Sequence, residues 1–295
     1  MKRIDPPNYD PIKLFDVSVN GIDAEPLRKS FIDNRQSILD ANVAFYAKTQ
    51  TQTWCDLPRA AHGNPDAVVA GGLSKRQLKS LYEDYVVRSK GEAREIYDNI
   101  LVKAHGKCPY CGGIGAAKTI DHYLPKAYFP SYSVLPINLI PACRDCNTGM
   151  GGKFPTASNL QPVHPYLDAP HFFEEKWTTA TIVQEVPIVV NFGVSAPVLW
   201  SSKDKSRVTQ HFRDCDLGER YRLQVWDELA PLISQRKDTL RQLDASQFRV
   251  YLLVTANESA LPINGWKRTL YHALAATAWF CEADFSTPNG HMPLP

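Results

Sequence analysis

The stretch CPYCGGIGAAKTIDHYLPKAYFPSYSVLPINLIPACRDCN, residues 108–147, contains two Cys-x-x-Cys pairs. Cys108 with Cys111 and Cys143 with Cys146 form two tight turns. Each turn aims two thiolates at one point, and two turns complete a tetrahedral ligand set. Zinc is the expected metal, because it accepts thiolate and is redox-inert. An iron–sulfur cluster is the competing reading, since paired Cys-x-x-Cys spacing also serves those centres. A closed four-thiolate site has no open coordination position, so it organises a fold and carries no chemistry. Any chemistry must come from what the frame encloses. It encloses Asp121-His122 after a short strand-like "KTI", Asn138 within "PINLIP", and Asn147 directly after the last cysteine.

The rest of the chain bounds the possibilities. At 295 residues and 44% hydrophobic it can bury the core of one large domain or two small ones. Seven cysteines is an odd number. Cys55, Cys215 and Cys281 stand alone and read as buried thiols. The start of the chain shows no apolar signal-like segment, and no apolar run of membrane-spanning length follows. A cytoplasmic protein without disulfides and without a membrane partner is expected. The net charge is only +2, which excludes a polybasic nucleic-acid binder. Residues 101–160 are locally basic, with Lys103, Lys107, Lys118, Lys126, Arg144 and Lys153 against Asp121 and Asp145. This fits either a phosphate-bearing partner or an ordinary solvated face.

The three prolines within residues 1–22 suggest irregular structure there. Residues 24–48 have helical periodicity, and 51–72 read as loop. Ser74 and Gln77 form a capping-box pattern ahead of Leu78, Leu81, Tyr82, Tyr85 and Val86, which predicts an amphipathic helix. A second helix is expected over 92–104. Residues 184–192 read as an edge strand that residues 198–202 could pair with. Residues 217–241 and 264–282 look helical. The expected class is α+β, with a mainly helical region 1–104, a cysteine-rich module 105–170 and a mixed α/β region 171–295.

The ordered pattern Cys108-x-x-Cys111, "DHYLPK" (121–126) and "NLIPACRDCN" (138–147) resembles the HNH endonucleases, the zinc-bearing branch of the ββα-metal nucleases. The last position of that signature is commonly His; here it is Asn147, as in HNN-type variants. The resemblance implies a zinc-stapled ββα-metal core and a metal-dependent phosphodiester hydrolase acting on DNA. Asp121 and Asn147 would hold a catalytic Mg²⁺ or Mn²⁺, His122 would be the general base, and Asn138 would shape the loop that aims it. Lys126 and Lys153 are the nearest cations for substrate phosphate. "MKRIDPPNYDPIKLFD", "HPYLD" (164–168) and "NGWKRTLYHALAATAWFC" (264–281) look, more loosely, like flanking segments of the HNH subunit of Septu-type phage-defence systems. That implies an ATPase partner and an antiviral role. His164 and Asp168 also read as a structural turn, and Trp266 as core beside the cations Lys267 and Arg268. The alternative function is a catalytically silent zinc module that binds nucleic acid or a protein partner.

Overall fold

Pro6, Pro7 and Pro11 stop just short of a position where a helix can begin. The Asp10 carboxylate accepts from the Ile12 amide at 2.9 Å and opens α1, Lys13–Asn20, which buries Leu14, Phe15 and Val19. The stretch expected to be irregular therefore contains a helix, because prolines ahead of the first turn remove no helical hydrogen bond. The computed structural model describes residues 1–285.

Two helices, α2 (Glu25–Asp33) and α3 (Arg35–Ala47), occupy the next helical stretch. They break at Asn34, whose amide donates to the Ser30 carbonyl at 2.8 Å and accepts from Gly72 N at 2.6 Å. A small hairpin, β1 (Val68–Ala70) and β2 (Leu73–Ser74), forms at the end of the expected loop. The capping box forms as predicted. Ser74 Oγ accepts from Gln77 N at 3.2 Å and Gln77 Oε1 accepts from Ser74 N at 2.8 Å, opening α4, Lys75–Tyr82. One π-helical turn, Glu83–Val87, follows, and α5 spans Glu92–Val102.

The cysteine-rich region contributes two antiparallel strands, β3 (Thr119–His122) and β4 (Leu139–Ala142), then a short helix α6 (Arg144–Met150). Thr119 pairs with Ala142, and His122 with Leu139. Ile120 and Leu139 join the same core as Phe15, Phe31, Leu78 and Ile100. The strands are thus packed on the helices before them, within one compact unit formed by residues 3–110 and 115–168.

The second unit comprises, among the described residues, 1–2, 111–114 and 169–285. It holds α7 (His171–Glu174), β5 (Thr178–Val183), β6 (Val189–Val194), α8 (Ser202–Asp214), α9 (Leu217–Lys237), α10 (Ala245–Ala256), α11 (Trp266–Ala276) and α12 (Ala278–Glu282). The strand expected at 184–192 begins later, and its partner is β5, not residues 198–202. Those residues make a turn and an N-cap instead: Trp200 N donates to Pro197 O at 3.1 Å, and Ser201 Oγ accepts from Asp204 N at 3.1 Å. Buried Asn264 ties this unit together, accepting from Trp177 N at 2.8 Å and donating to Glu175 O at 2.9 Å. The part of the expected C-terminal region beyond residue 285 lies outside the described residues. The class is α+β, and no described helix is long and apolar enough to cross a membrane.

Candidate functional site

Cys108, Cys111, Cys143 and Cys146 are all buried, with their sulfurs within 4.8 Å of one another. Four thiolates around one zinc at about 2.3 Å would stand roughly 3.8 Å apart, so the cluster fits a thiophilic ion. The first pair lies in a tight loop: Cys108 N donates to Gly115 O at 3.0 Å and Ala117 N to Gly106 O at 3.1 Å. Gly112, next to Cys111, has φ +68°, and a β-carbon there would come within 2.9 Å of Met1 N. Any side chain there would be strained and would force Met1 to shift. In the second pair Cys143 is the N-cap of α6 and Cys146 lies in its first turn. Asn147 N donates to Cys143 O at 3.0 Å, so the cysteine turn also places Asn147.

His122 ends β3 and is buried. Its Nε2 lies 2.9 Å from the Ser133 carbonyl oxygen. A carbonyl only accepts, so Nε2 carries the hydrogen, and in the neutral ring Nδ1 keeps its lone pair. Burial, helped by the charge of Lys126, lowers the His122 pKa to about 4; the imidazole is therefore neutral at pH 7. Ser133 is held in turn by its own hydroxyl, which donates to Leu78 O in α4 at 2.8 Å. Tyr82, at the end of α4, packs edge-on against the imidazole with centroids 4.4 Å apart. Burial and neighbouring groups, Asp121 among them, raise the Tyr82 pKa.

Asn138 is fully buried and bonded at both ends of its amide. Oδ1 accepts from Leu124 N at 2.7 Å, while Nδ2 donates to Leu124 O at 3.2 Å and to Tyr132 O at 3.0 Å. Its backbone oxygen also accepts from Tyr123 N at 2.9 Å. It cross-links the two ends of the 123–138 loop that carries Ser133.

Strand alternation separates the Asp121-His122 pair. Ile120 and His122 are buried, while Thr119 and Asp121 are half-buried on the opposite face. Asn147 belongs with the second face, because its Nδ2 donates to Thr119 Oγ1 at 3.4 Å. A carboxylate and an amide oxygen on one strand face suit a hard divalent cation that keeps several waters. A cation on that face would have Asp121 and Asn147 as its ligands, while the His122 imidazole lies on the other, buried face.

Lys126 is already engaged. Its ammonium is 2.7 Å from Glu83 and 4.9 Å from the centre of the Tyr82 ring. Lys153 is exposed, past the point where Gly151, at φ +62°, ends α6. His164 and Asp168 form the structural turn expected of them: Asp168 Oδ2 accepts from His164 N at 2.6 Å. Trp266 packs against the second core, while Lys267 pairs with Glu228 at 2.8 Å and Arg268 donates to Glu258 O at 2.7 Å. Cys55, Cys215 and Cys281 are buried. Thr119, Ser133, Tyr82 and Glu83 contact the candidate site residues as well; of them, only Thr119, two residues before Asp121 on a strand, is legible from periodicity.

Fold and site together define an α+β protein with a buried four-cysteine centre able to hold a metal ion such as zinc. No family model matches the chain, and no solved structure does. The chain belongs to the family of protein ea31 of Escherichia phage lambda. The two are 35% identical over 262 residues, which span 84% of this chain and 88% of that protein.

Proposed function

We propose that this protein is a metal-dependent endonuclease of the HNH type, hydrolysing DNA phosphodiesters, with zinc in the four-cysteine centre. The observation that carries the reading is the hydrogen bond between His122 Nε2 and Ser133 O. It leaves a neutral imidazole with its Nδ1 lone pair as the one basic atom, which is the state a general base requires.

In this reading Nδ1 takes a proton from a water molecule. The water oxygen forms a bond to phosphorus, and the bond from phosphorus to the 3′-oxygen breaks; the 3′-oxygen keeps the bonding pair and takes a proton from solvent, leaving a 3′-hydroxyl and a 5′-phosphate. The Ser133 carbonyl continues to hold the Nε2 hydrogen while the ring is cationic, and the extra proton then passes to solvent. A bound Mg²⁺ or Mn²⁺ would stabilise charge on the phosphoryl and leaving oxygens. Asp121 and Asn147 are the residues to hold it. Asn138 acts indirectly, by keeping the 123–138 loop in register so that the Ser133 carbonyl meets the ring.

Lys126 contacts substrate phosphate only after leaving Glu83. Both side chains are partly exposed, and an exposed ion pair contributes roughly 0–1 kcal/mol, so a phosphate can compete for the lysine. An ATPase partner in a defence system is a further part of the reading, supported by the flanking-segment resemblance alone; the relative in a bacteriophage adds no support to it.

The test is cleavage of plasmid and single-stranded DNA by the purified chain with Mg²⁺, Mn²⁺ or EDTA, beside His122→Ala. Metal-dependent cutting that disappears in His122→Ala supports the enzyme. Absence of cutting with every metal, with and without a co-purifying ATPase, favours the silent zinc module.

A further inference from the structure

Thr119 has a single hydroxyl proton, and its position settles which way the Asn147 amide faces. Thr119 and Ala142 are directly paired residues of β3 and β4. The Thr119 hydroxyl lies 3.0 Å from the Ala142 carbonyl oxygen. That oxygen can only accept, so the hydroxyl proton is spent on it. What remains on Oγ1 is acceptor capacity, and the group that approaches it is the Asn147 side chain, 3.4 Å away. An amide can meet an acceptor only with its NH₂ end. The long bond therefore selects one of two amide orientations, with Nδ2 toward Thr119 and Oδ1 turned away from it.

We infer that Thr119 is the positioning residue of the cation site, using its hydroxyl to hold Asn147 with its carbonyl oxygen presented as a ligand beside Asp121. This rests on the reading of Asp121 and Asn147 as cation ligands. The reverse amide orientation would put two N–H groups where a positive charge is to sit. Thr119 and Asp121 share a face by strand alternation, so one short strand supplies both the carboxylate and the group that orients the amide. Ala142 immediately precedes Cys143, the N-cap of α6. The hydrogen bonds thus run from the residue beside the cysteine centre, through Thr119, to Asn147. The zinc-stapled turn and the amide are set by the same strand end. A ligand that is itself hydrogen-bonded loses less freedom when it binds, and removing such outer partners typically weakens metal affinity about 10–100-fold.

The experiment is Mn²⁺ titration of the full chain, followed by the electron paramagnetic resonance of free Mn²⁺, for wild type, Asp121→Ala, Thr119→Ser, Thr119→Val and Thr119→Ala. Zinc content and thermal unfolding of each variant are measured alongside. Thr119→Ser should bind Mn²⁺ within about twofold of wild type. Thr119→Val, which keeps the volume and removes the hydroxyl, should bind about tenfold or more weakly with zinc retained. Thr119→Ala gives the same reading if the valine variant does not fold. A wild-type chain that binds no Mn²⁺, or binds it equally after Asp121→Ala, overturns the cation reading itself. Wild-type binding that depends on Asp121 but is unchanged in both hydroxyl-less variants overturns the role of Thr119 and leaves that reading standing.

Discussion

The Ser133 carbonyl oxygen stands 2.9 Å from His122 Nε2, and the Ser133 hydroxyl is tied to Leu78 O of α4 at 2.8 Å. A residue of the helical region thereby sets the orientation of an imidazole in the cysteine-rich region, within one unit. His122→Ala should abolish metal-dependent cleavage, a loss of at least about a hundredfold for removal of a general base. Zinc content should not change. Ser133→Ala should lower the rate less and cost about 1 kcal/mol of stability, because it leaves Leu78 O without that donor. Cleavage rates and urea unfolding on the same preparations separate the two effects.

Stability should fall in acid partly through His122. Its pKa is about 4 in the folded chain, below the ordinary 6.5. Between those values the unfolded chain takes up a proton at this site and the folded chain does not. Stability therefore declines as pH falls from about 6.5 toward about 4, by up to about 3 kcal/mol from this group. His122→Gln should show a shallower decline than wild type in urea unfolding at pH 7 and pH 5. Equal slopes would show that the folded chain protonates His122 as readily as the unfolded chain does.

Asn138→Asp changes no volume but sets a carboxylate against the carbonyls of Leu124 and Tyr132, which now accept from Nδ2. We expect about 3 kcal/mol or more of destabilisation, the cost of a buried charge facing acceptors. Thermal unfolding measures it; a shift under about 1 kcal/mol would mean that the loop can rearrange around the new charge.

Metal removal should act on structure before chemistry. The four sulfurs are buried together, and without an ion they must protonate or repel. The zinc we propose for this centre should be lost in Cys146→Ser, which elemental analysis detects. The substitution should also loosen the whole unit, because Ile120 and Leu139 share its core with the N-terminal helices. Limited proteolysis should then cut within both 3–110 and 115–168. Cuts confined to the cysteine-rich region would show that the helices stand without it.

Glu83→Gln should release Lys126 from its ion pair. Binding to a short DNA duplex, measured in His122→Ala to prevent cutting, should tighten by up to about fivefold at low salt, since an exposed pair is worth at most about 1 kcal/mol. Unchanged affinity would place Lys126 away from the phosphate.

Local chemistry was legible in the order of residues. The capping box at Ser74 and Gln77, the two cysteine turns and the strand ending in Asp121-His122 depend on neighbours a few positions apart, so spacing alone reveals them. A second capping box, with Asp244 accepting from Gln247 N at 2.9 Å, was equally local and marks α10, which periodicity alone had not delimited. Helix α1 was obscured because proline reads as a breaker, whether it lies inside a helix or just ahead of it.

What the residue order could not decide was which groups meet across long separations. That Ser133 orients His122, that Tyr82 covers it, and that Glu83 holds Lys126 depend on α4 and its π-helical turn packing against β3 and the loop after it. Those contacts are set by the burial of a shared core and leave no spacing rule in the chain. The same holds for the two faces of β3. The sequence by itself placed Asp121 beside His122 and Asn147 after Cys146; only the tertiary structure put the imidazole against the core and the amide on Thr119, because burial of one strand face leaves the other for polar ligands.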